Sequence, residues 1–276
     1  MTVHPIFKLA AGILLSAVVV SASAHRAWIK PSETVLSGDQ NYVTFDAAVS
    51  NTLFLPEHVP LRTNGILVTG PTATKVELEN VATGKYRSTF DINLQQQGTY
   101  KIASASSGLR AFWKDAEGNR KMWPPRGRGA GEQTFEQAVP KDAKELQVSY
   151  SSRRVETYVS LGAPDETALA ITKTGLELKP LTHPNDLFAT ETASFQFLMD
   201  GEPVEGVEIE IVRGSMRYRN DSETITLTSD ADGKFSVTWP TAGMYFIEAS
   251  YSDEKAKAPA TRRQGGYALT LEVLPL

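Results

Sequence analysis

The sequence predicts an all-β protein built of two tandem antiparallel β-sandwiches behind a cleaved signal peptide. Three observations carry this. Short apolar–polar alternating runs recur along the chain with Gly, Pro, Asn and Asp between them. Helical periodicity is nearly absent. The chain opens on an apolar stretch that ends in a small-residue cleavage pattern.

The opening residues hold one cation, Lys8, then the apolar run Leu9 to Val20, then Ala22-Ser23-Ala24. A charged start, a run of about a dozen apolar residues and an A-x-A site make a secretory signal. The run is short for a membrane span, which needs about 20 residues. Cleavage after Ala24 leaves 276 − 24 = 252 residues and places the protein in the periplasm. No second long apolar run follows, so no transmembrane segment is expected in the mature chain.

The first sandwich is expected over 25–165. Its strands include Asn41–Phe45, Lys75–Glu79, Tyr86–Ile92 and Gly98–Ala103, with Thr83-Gly84 as a turn. Two weak helical segments, 132–138 and Asp142 to Leu146, are the exceptions. A strand-like run, VETYVSL, ends at Gly162-Ala163-Pro164, and 166–177 reads as a linker. The second sandwich follows over 178–276, about the length of one Ig-like domain. Its strands are expected at 195–199, 207–212, 224–227, 235–239, 244–251 and 267–273. Asp230-Ala231-Asp232-Gly233 is a hairpin turn rather than a calcium loop, because the remaining loop ligands and the terminal Glu are missing. Gly98-Thr99-Tyr100 and Gly243-Met244-Tyr245 share a glycine-then-tyrosine form, which suggests similar strand ends in both units.

Composition narrows the function. There are 28 Lys plus Arg, 32 Asp plus Glu and no cysteine, for a formal charge of −4. A mildly acidic chain is a poor nucleic-acid binder. Without cysteine there are no disulfides, thiolate zinc sites, Cys nucleophiles or iron–sulfur clusters. No G-x-S-x-G, H-E-x-x-H or P-loop is present, and no catalytic residue is nominated.

Cleavage makes His25 the first mature residue. Its amine and its imidazole then sit on one residue, and both can yield protons to a metal near neutral pH. A second imidazole would complete an all-nitrogen site suited to Cu(II) or Ni(II). Only His58 and His183 remain as mature histidines besides His25. His58 lies between Pro56 and Pro60, which stiffen its loop. His183 begins the second unit and reads more readily as a turn residue. Asp46 and Glu57 are candidate carboxylate ligands or partners that orient an imidazole N–H. The scattered methionines do not form a Cu(I)-type array. The basic, Gly/Pro-rich stretch Arg120 to Gly131 carries Trp123 and reads as a solvated insertion or a docking loop. Arg213, Arg217, Tyr218 and Arg219 form a second basic–aromatic cluster around Gly214.

HRAWIKP at the mature start, FDAAVSNTLFLPEHVPLR at 45–62 and LTHPNDLF at 181–188 resemble a bacterial exported family of unknown-function domains. So do VRGSMRYRND and TSDADGKF. That family is often labelled as the periplasmic component, or substrate-specific region, of cobalt and nickel uptake systems. The resemblance spans His25 to Leu276. It rests most on His25 with Trp28, and on Phe45, Asp46, Ser50, Asn51 and His58. It implies an exported, two-sandwich, metal-linked protein without an established catalytic activity.

The expectation is therefore a periplasmic accessory protein that binds Ni(II), Co(II) or Cu(II) through His25. His58, Asp46 and His183 are the further candidate ligands. A membrane metal transporter or an outer-membrane receptor is the candidate partner. Two alternatives stand beside it: a histidine-brace copper enzyme acting on polysaccharide, and an envelope binding module that uses no metal.

Overall fold

The computed structural model describes residues 25–125, 133–219 and 223–276. The signal-peptide reading and the Gly-rich end of the basic stretch lie outside them. Among the described residues the chain is almost entirely β, in three sheets.

The first sheet holds β1 (Arg26–Pro31), β3 (Asn41–Ser50), β8 (Ser88–Leu94) and β7 (Glu79–Thr83), with β4 (Val59–Pro60) against β3. The largest sheet has ten strands. Its main path is β16 (Ile225–Thr228), β15 (Glu208–Arg213), β18 (Gly243–Asp253), β19 (Arg262–Val273), β11 (Lys144–Leu161), β9 (Gly98–Lys114), β5 (Ile66–Thr69) and β6 (Lys75–Val76). On its flanks β10 (Arg120–Trp123) pairs β9, and β2 (Val35–Leu36) pairs β11. The third sheet is β12 (Leu176–Pro180), β13 (Thr192–Met199), β14 (Glu202–Pro203) and β17 (Lys234–Thr238).

The ten-stranded sheet is the middle layer. Neighbouring residues on its strands alternate between two cores. Val155, Val212, Phe246 and Ala268 pack toward the first sheet, among Trp28, Phe45 and Phe90. Tyr158, Ile211, Tyr245 and Tyr267 pack the other way, among Phe195, Phe197 and Trp239 of the third-sheet side. A strand buried on both faces reads as a nearly continuous apolar run. Hence YALTLEV on β19 and MYFIEA on β18 do not alternate cleanly.

The two units thus share a sheet. β11 lies in the first unit and pairs in parallel with β19 of the second, from Ser149↔Arg262 to Thr157↔Thr270. The linker contains a short 3₁₀ turn, Thr167–Leu169, and β12 starts at Leu176.

Several local expectations shift. Lys75–Glu79 is two elements, β6 and β7, rather than one strand. Asp142 to Leu146 is no helical turn: β11 starts at Lys144, and Lys144 pairs with Lys114 of β9. The helical segment at 132–138 is found as α1 (Phe135–Ala138), with a Thr134–Gln137 capping box. Asp230 spends its carboxylate on the backbone N–H groups of Asp232 and Lys234, at 3.0 and 2.8 Å, so this loop is a turn.

The paired strand ends are alike in detail. Tyr100 Oη donates to Gln96 O at 2.9 Å, and Tyr245 Oη donates to Thr241 O at 2.8 Å. Each tyrosine follows a glycine of positive φ, Gly98 at 120° and Gly243 at 142°. This bond back to the fourth residue upstream is the tyrosine corner of Ig-like sandwiches.

Candidate metal centre

β3 organises the site. Its last residues carry β1 on one edge and β4 on the other, with Arg26↔Ser50 and Val59↔Val49 in register. His25 precedes β1 and His58 precedes β4. The two histidines therefore flank the same end of β3, and their ring centres lie 4.1 Å apart with planes tilted by 33°. Both residues are exposed.

The loop before His58 is held at several points. Trp28 Nε1 donates to Ser50 Oγ at 2.8 Å, and Ser50 Oγ donates to Thr52 O at 2.7 Å. Thr52 N–H in turn donates to the Glu57 carboxylate at 2.6 Å. Leu53 is buried in the first core, and Phe54 packs edge-on against Trp28 with centroids 5.5 Å apart. Phe54 has a φ of 61°, a conformation that the surrounding packing must hold. On the other side, Arg26 bonds Glu210 and Glu248 of the middle sheet, each at 3.2 Å. Both histidines are thus mounted on tethered backbone.

The spacing suits a shared ion. With metal–nitrogen bonds of about 2.0–2.1 Å and a ring centre ~1.1 Å further out, two imidazoles at a right angle put their centres ~4.4 Å apart. Imidazoles on opposite sides of the ion would stand ~6.2 Å apart by the same geometry. The pair at 4.1 Å fits adjacent positions. Among the described residues no group of three His, Cys, Asp or Glu side chains converges. Side chains alone therefore offer two nitrogens, and a third donor has to come from elsewhere.

The other two expected ligands are placed away from this pair. Asp46 lies opposite Lys30, four residues back along β3, and its carboxylate pairs with Arg87 at 3.2 Å. Four residues of strand are about 13 Å. Its ion pair and its distance along the strand separate it from the histidines. His183 is committed to the junction between the units. Its Nδ1 accepts from Asn185 N–H, and its Nε2 lies 3.1 Å from both Asp165 O and Thr99 Oγ1. Burial pushes its pKa down, against the opposing pull of Asp165 and Asp186. Thr99 pairs with Ser160 of β11, whereas Arg26 is bonded to Glu248, whose strand leads through Ala268 to Val155. Both of its nitrogens are occupied in a structural role. Glu57 likewise serves as the loop clasp rather than as a free carboxylate.

The roles of Arg26, Ser50 and Thr52 were not legible in the sequence, since nothing local links a residue to partners on distant strands. The Arg213–Arg219 cluster is partly internal: Arg219 donates to the carbonyls of Arg213 and Gly214 at 2.7 and 3.1 Å, and Tyr218 is exposed. Beside the site a groove of about 1160 Å³ crosses the middle sheet, with Arg26, Arg110, Arg153, Glu208, Glu210 and Glu248 along it. No helix among the described residues is long and apolar enough to cross a membrane.

A family model described as "Domain of unknown function (DUF4198)" matches residues 22–253. That description names neither cobalt nor nickel. No curated protein matches the chain by sequence. Three solved structures show remote likeness. The D0-D1 domain of intimin is 12% identical, with 89% of this chain and 97% of that one covered and a TM-score of 0.22. A marsupial T cell receptor is 9% identical, covering 91% and 73%, with a TM-score of 0.21. A DUF3823 family protein from Bacteroides uniformis ATCC 8492 is 11% identical, covering 79% and 93%, with a TM-score of 0.22. Likenesses this remote bear no functional argument.

Proposed function

We propose that this chain, which belongs to the DUF4198 family, is an exported periplasmic protein that binds a divalent transition metal for uptake or handling. The approach of His25 and His58 to 4.1 Å is the observation that supports this reading. In a mature chain beginning at His25, the α-amine and ring of that residue would chelate the ion. The His58 ring would take an adjacent position.

Three nitrogens leave coordination positions open to water or to a recipient's ligands. An exposed ion with open positions can be handed on, which suits cargo better than a closed structural site. A membrane metal transporter or an outer-membrane receptor is the fitting recipient. Nickel, cobalt and copper all accept nitrogen donors, and Cu(II) will bind most tightly in vitro by the Irving–Williams order.

The test compares protein starting at His25 with protein carrying one extra residue before it. Cu(II), Ni(II) and Co(II) are titrated into each. Stoichiometric binding that weakens by at least tenfold in the extended form supports the terminal chelate. Equal weak binding in both forms sinks it and favours an envelope module that uses no metal.

One observation favours a second reading. The groove across the middle sheet begins at Arg26, next to the histidine pair. A copper enzyme oxidising a polysaccharide would need such a groove beside its metal. Turnover of a polysaccharide by the copper-loaded protein with a reductant would establish it.

A further inference from the structure

Lys101 is a buried cation without a carboxylate of its own. It projects from β9 on the face opposite Tyr100 and Ile102, and its residue is only 8% exposed. Its ammonium donates to Ala170 O at 2.8 Å. An ammonium has three protons to donate. Among the described residues no ion pair includes Lys101, whereas its neighbour Arg154 is paired with both Glu156 and Glu177.

Those two carboxylates are already engaged. Glu156 accepts from Arg154 and from the hydroxyls of Tyr158 and Tyr267. Glu177 accepts from Arg154, Thr172 and the Thr174 N–H. Burial pushes the Lys101 pKa down, with Glu156 and Glu177 opposing the shift and Arg154 adding to it.

The surroundings of Lys101 are open on one side. A cavity of about 340 Å³ lies over Ala103 and Ala105, with Lys101 and Arg154 in its lining. Thr69 stands in register with Lys101 across the β5–β9 pair and also lines the space, as does Ser107. Small floor residues leave room, the hydroxyls supply polar contacts, and Lys101 supplies a positive charge. Leu67, 61% exposed, stands at the edge of the cavity.

We infer that this cavity is a binding site for a small oxyanion, the carboxylate of an organic acid or free phosphate, held by the Lys101 ammonium. The site is distinct from the histidine pair and does not depend on metal binding. The anion would give the ammonium the direct ionic partner that Glu156 and Glu177, engaged with Arg154, do not provide, and Thr69 would donate to it from the facing strand.

The experiment titrates acetate, succinate and phosphate into the metal-free protein, with chloride at matched ionic strength as the control. Backbone amide shifts at Thr69, Lys101, Ala103 and Ala105 are followed. Saturable shifts confined to these residues are expected for at least one oxyanion. Tighter binding of the carboxylates assigns an organic acid; tighter binding of phosphate assigns inorganic phosphate. Lys101→Met should weaken binding by at least tenfold. If that variant does not fold, Leu67→Trp, which obstructs the mouth and leaves the charge in place, should weaken it as much. Shifts no larger than those with chloride, or unchanged affinity in the folded variants, overturn the proposal.

Discussion

Arg26 Nε lies 3.2 Å from Glu248 Oε2, so the residue next to His25 is fastened to the middle sheet. Its Nη2 reaches Glu210 at the same distance. Replacing Arg26 with Met should leave both histidines in place and loosen the segment that presents His25. Metal affinity should fall about tenfold, the lower end of what partners outside the ligand set contribute. Calorimetric titration of the His25-terminated protein measures this, with little change in melting temperature expected.

His58→Ala and His183→Ala should separate the two kinds of histidine. The first removes a proposed ligand and should weaken metal binding by at least about tenfold while sparing the fold. The second should leave metal binding unchanged and lower the melting temperature, because Asn185 N–H and Thr99 lose a partner. Loss of metal binding in His183→Ala alone would reverse the assignment.

Ser50→Ala tests the clasp on the His58 loop. It leaves the indole N–H of Trp28, a residue only 1% exposed, without its acceptor. An unsatisfied buried donor costs about 1–3 kcal/mol. Chemical denaturation should show a loss of that size, together with weaker metal binding because the loop is released.

The pH response of His183 follows from its lowered pKa. The unfolded chain takes up a proton near pH 6.5, the ordinary imidazole value, while the folded chain resists until a lower pH. Above that range this residue makes stability independent of pH. Below 6.5 the unfolded state binds more protons, so stability falls with acid until the folded pKa is passed. His183→Gln should flatten that part of the stability profile, measured by urea denaturation between pH 7 and pH 5.

Glu177→Ala removes one partner of a buried cation. Arg154 keeps Glu156 and Thr172, but the bonds that Thr172 and Thr174 donate to the Glu177 carboxylate, which pin the linker, are lost. Breaking a buried pair in this way costs about 3–5 kcal/mol. Thermal melting should register it without altering metal titration.

The all-β character, most strand positions and the nearness of His25 to His58 were legible in the sequence. Alternation marked strands such as β8 and β17, where only one face is buried. His58 was legible because prolines on both sides limit its loop. The shared sheet was not legible. β9 and β11 are 17 and 18 residues long. Their middle parts, ASASSGL and SYSSR, lack the apolar alternation that marks a strand. Asp46 stood as a candidate because a carboxylate can bind a metal or orient an imidazole N–H. Its ion pair with Arg87, forty-one residues away, is visible only in three dimensions. His183 sits before a proline in a turn, and only the fold reveals that both of its nitrogens are taken.

The parallel ladder between β11 and β19 has a consequence for how the molecule comes apart. Cutting the chain in the linker would give two fragments, and each would display a long raw strand edge where the other had been. Neither should be well behaved alone, because such edges recruit any strand they meet. Mixed during refolding, the halves should find one another and rebuild the sheet without a covalent link. The protein would then serve as its own split reporter, reassembling through the backbone ladder together with the side chains that each half lends to the other's core.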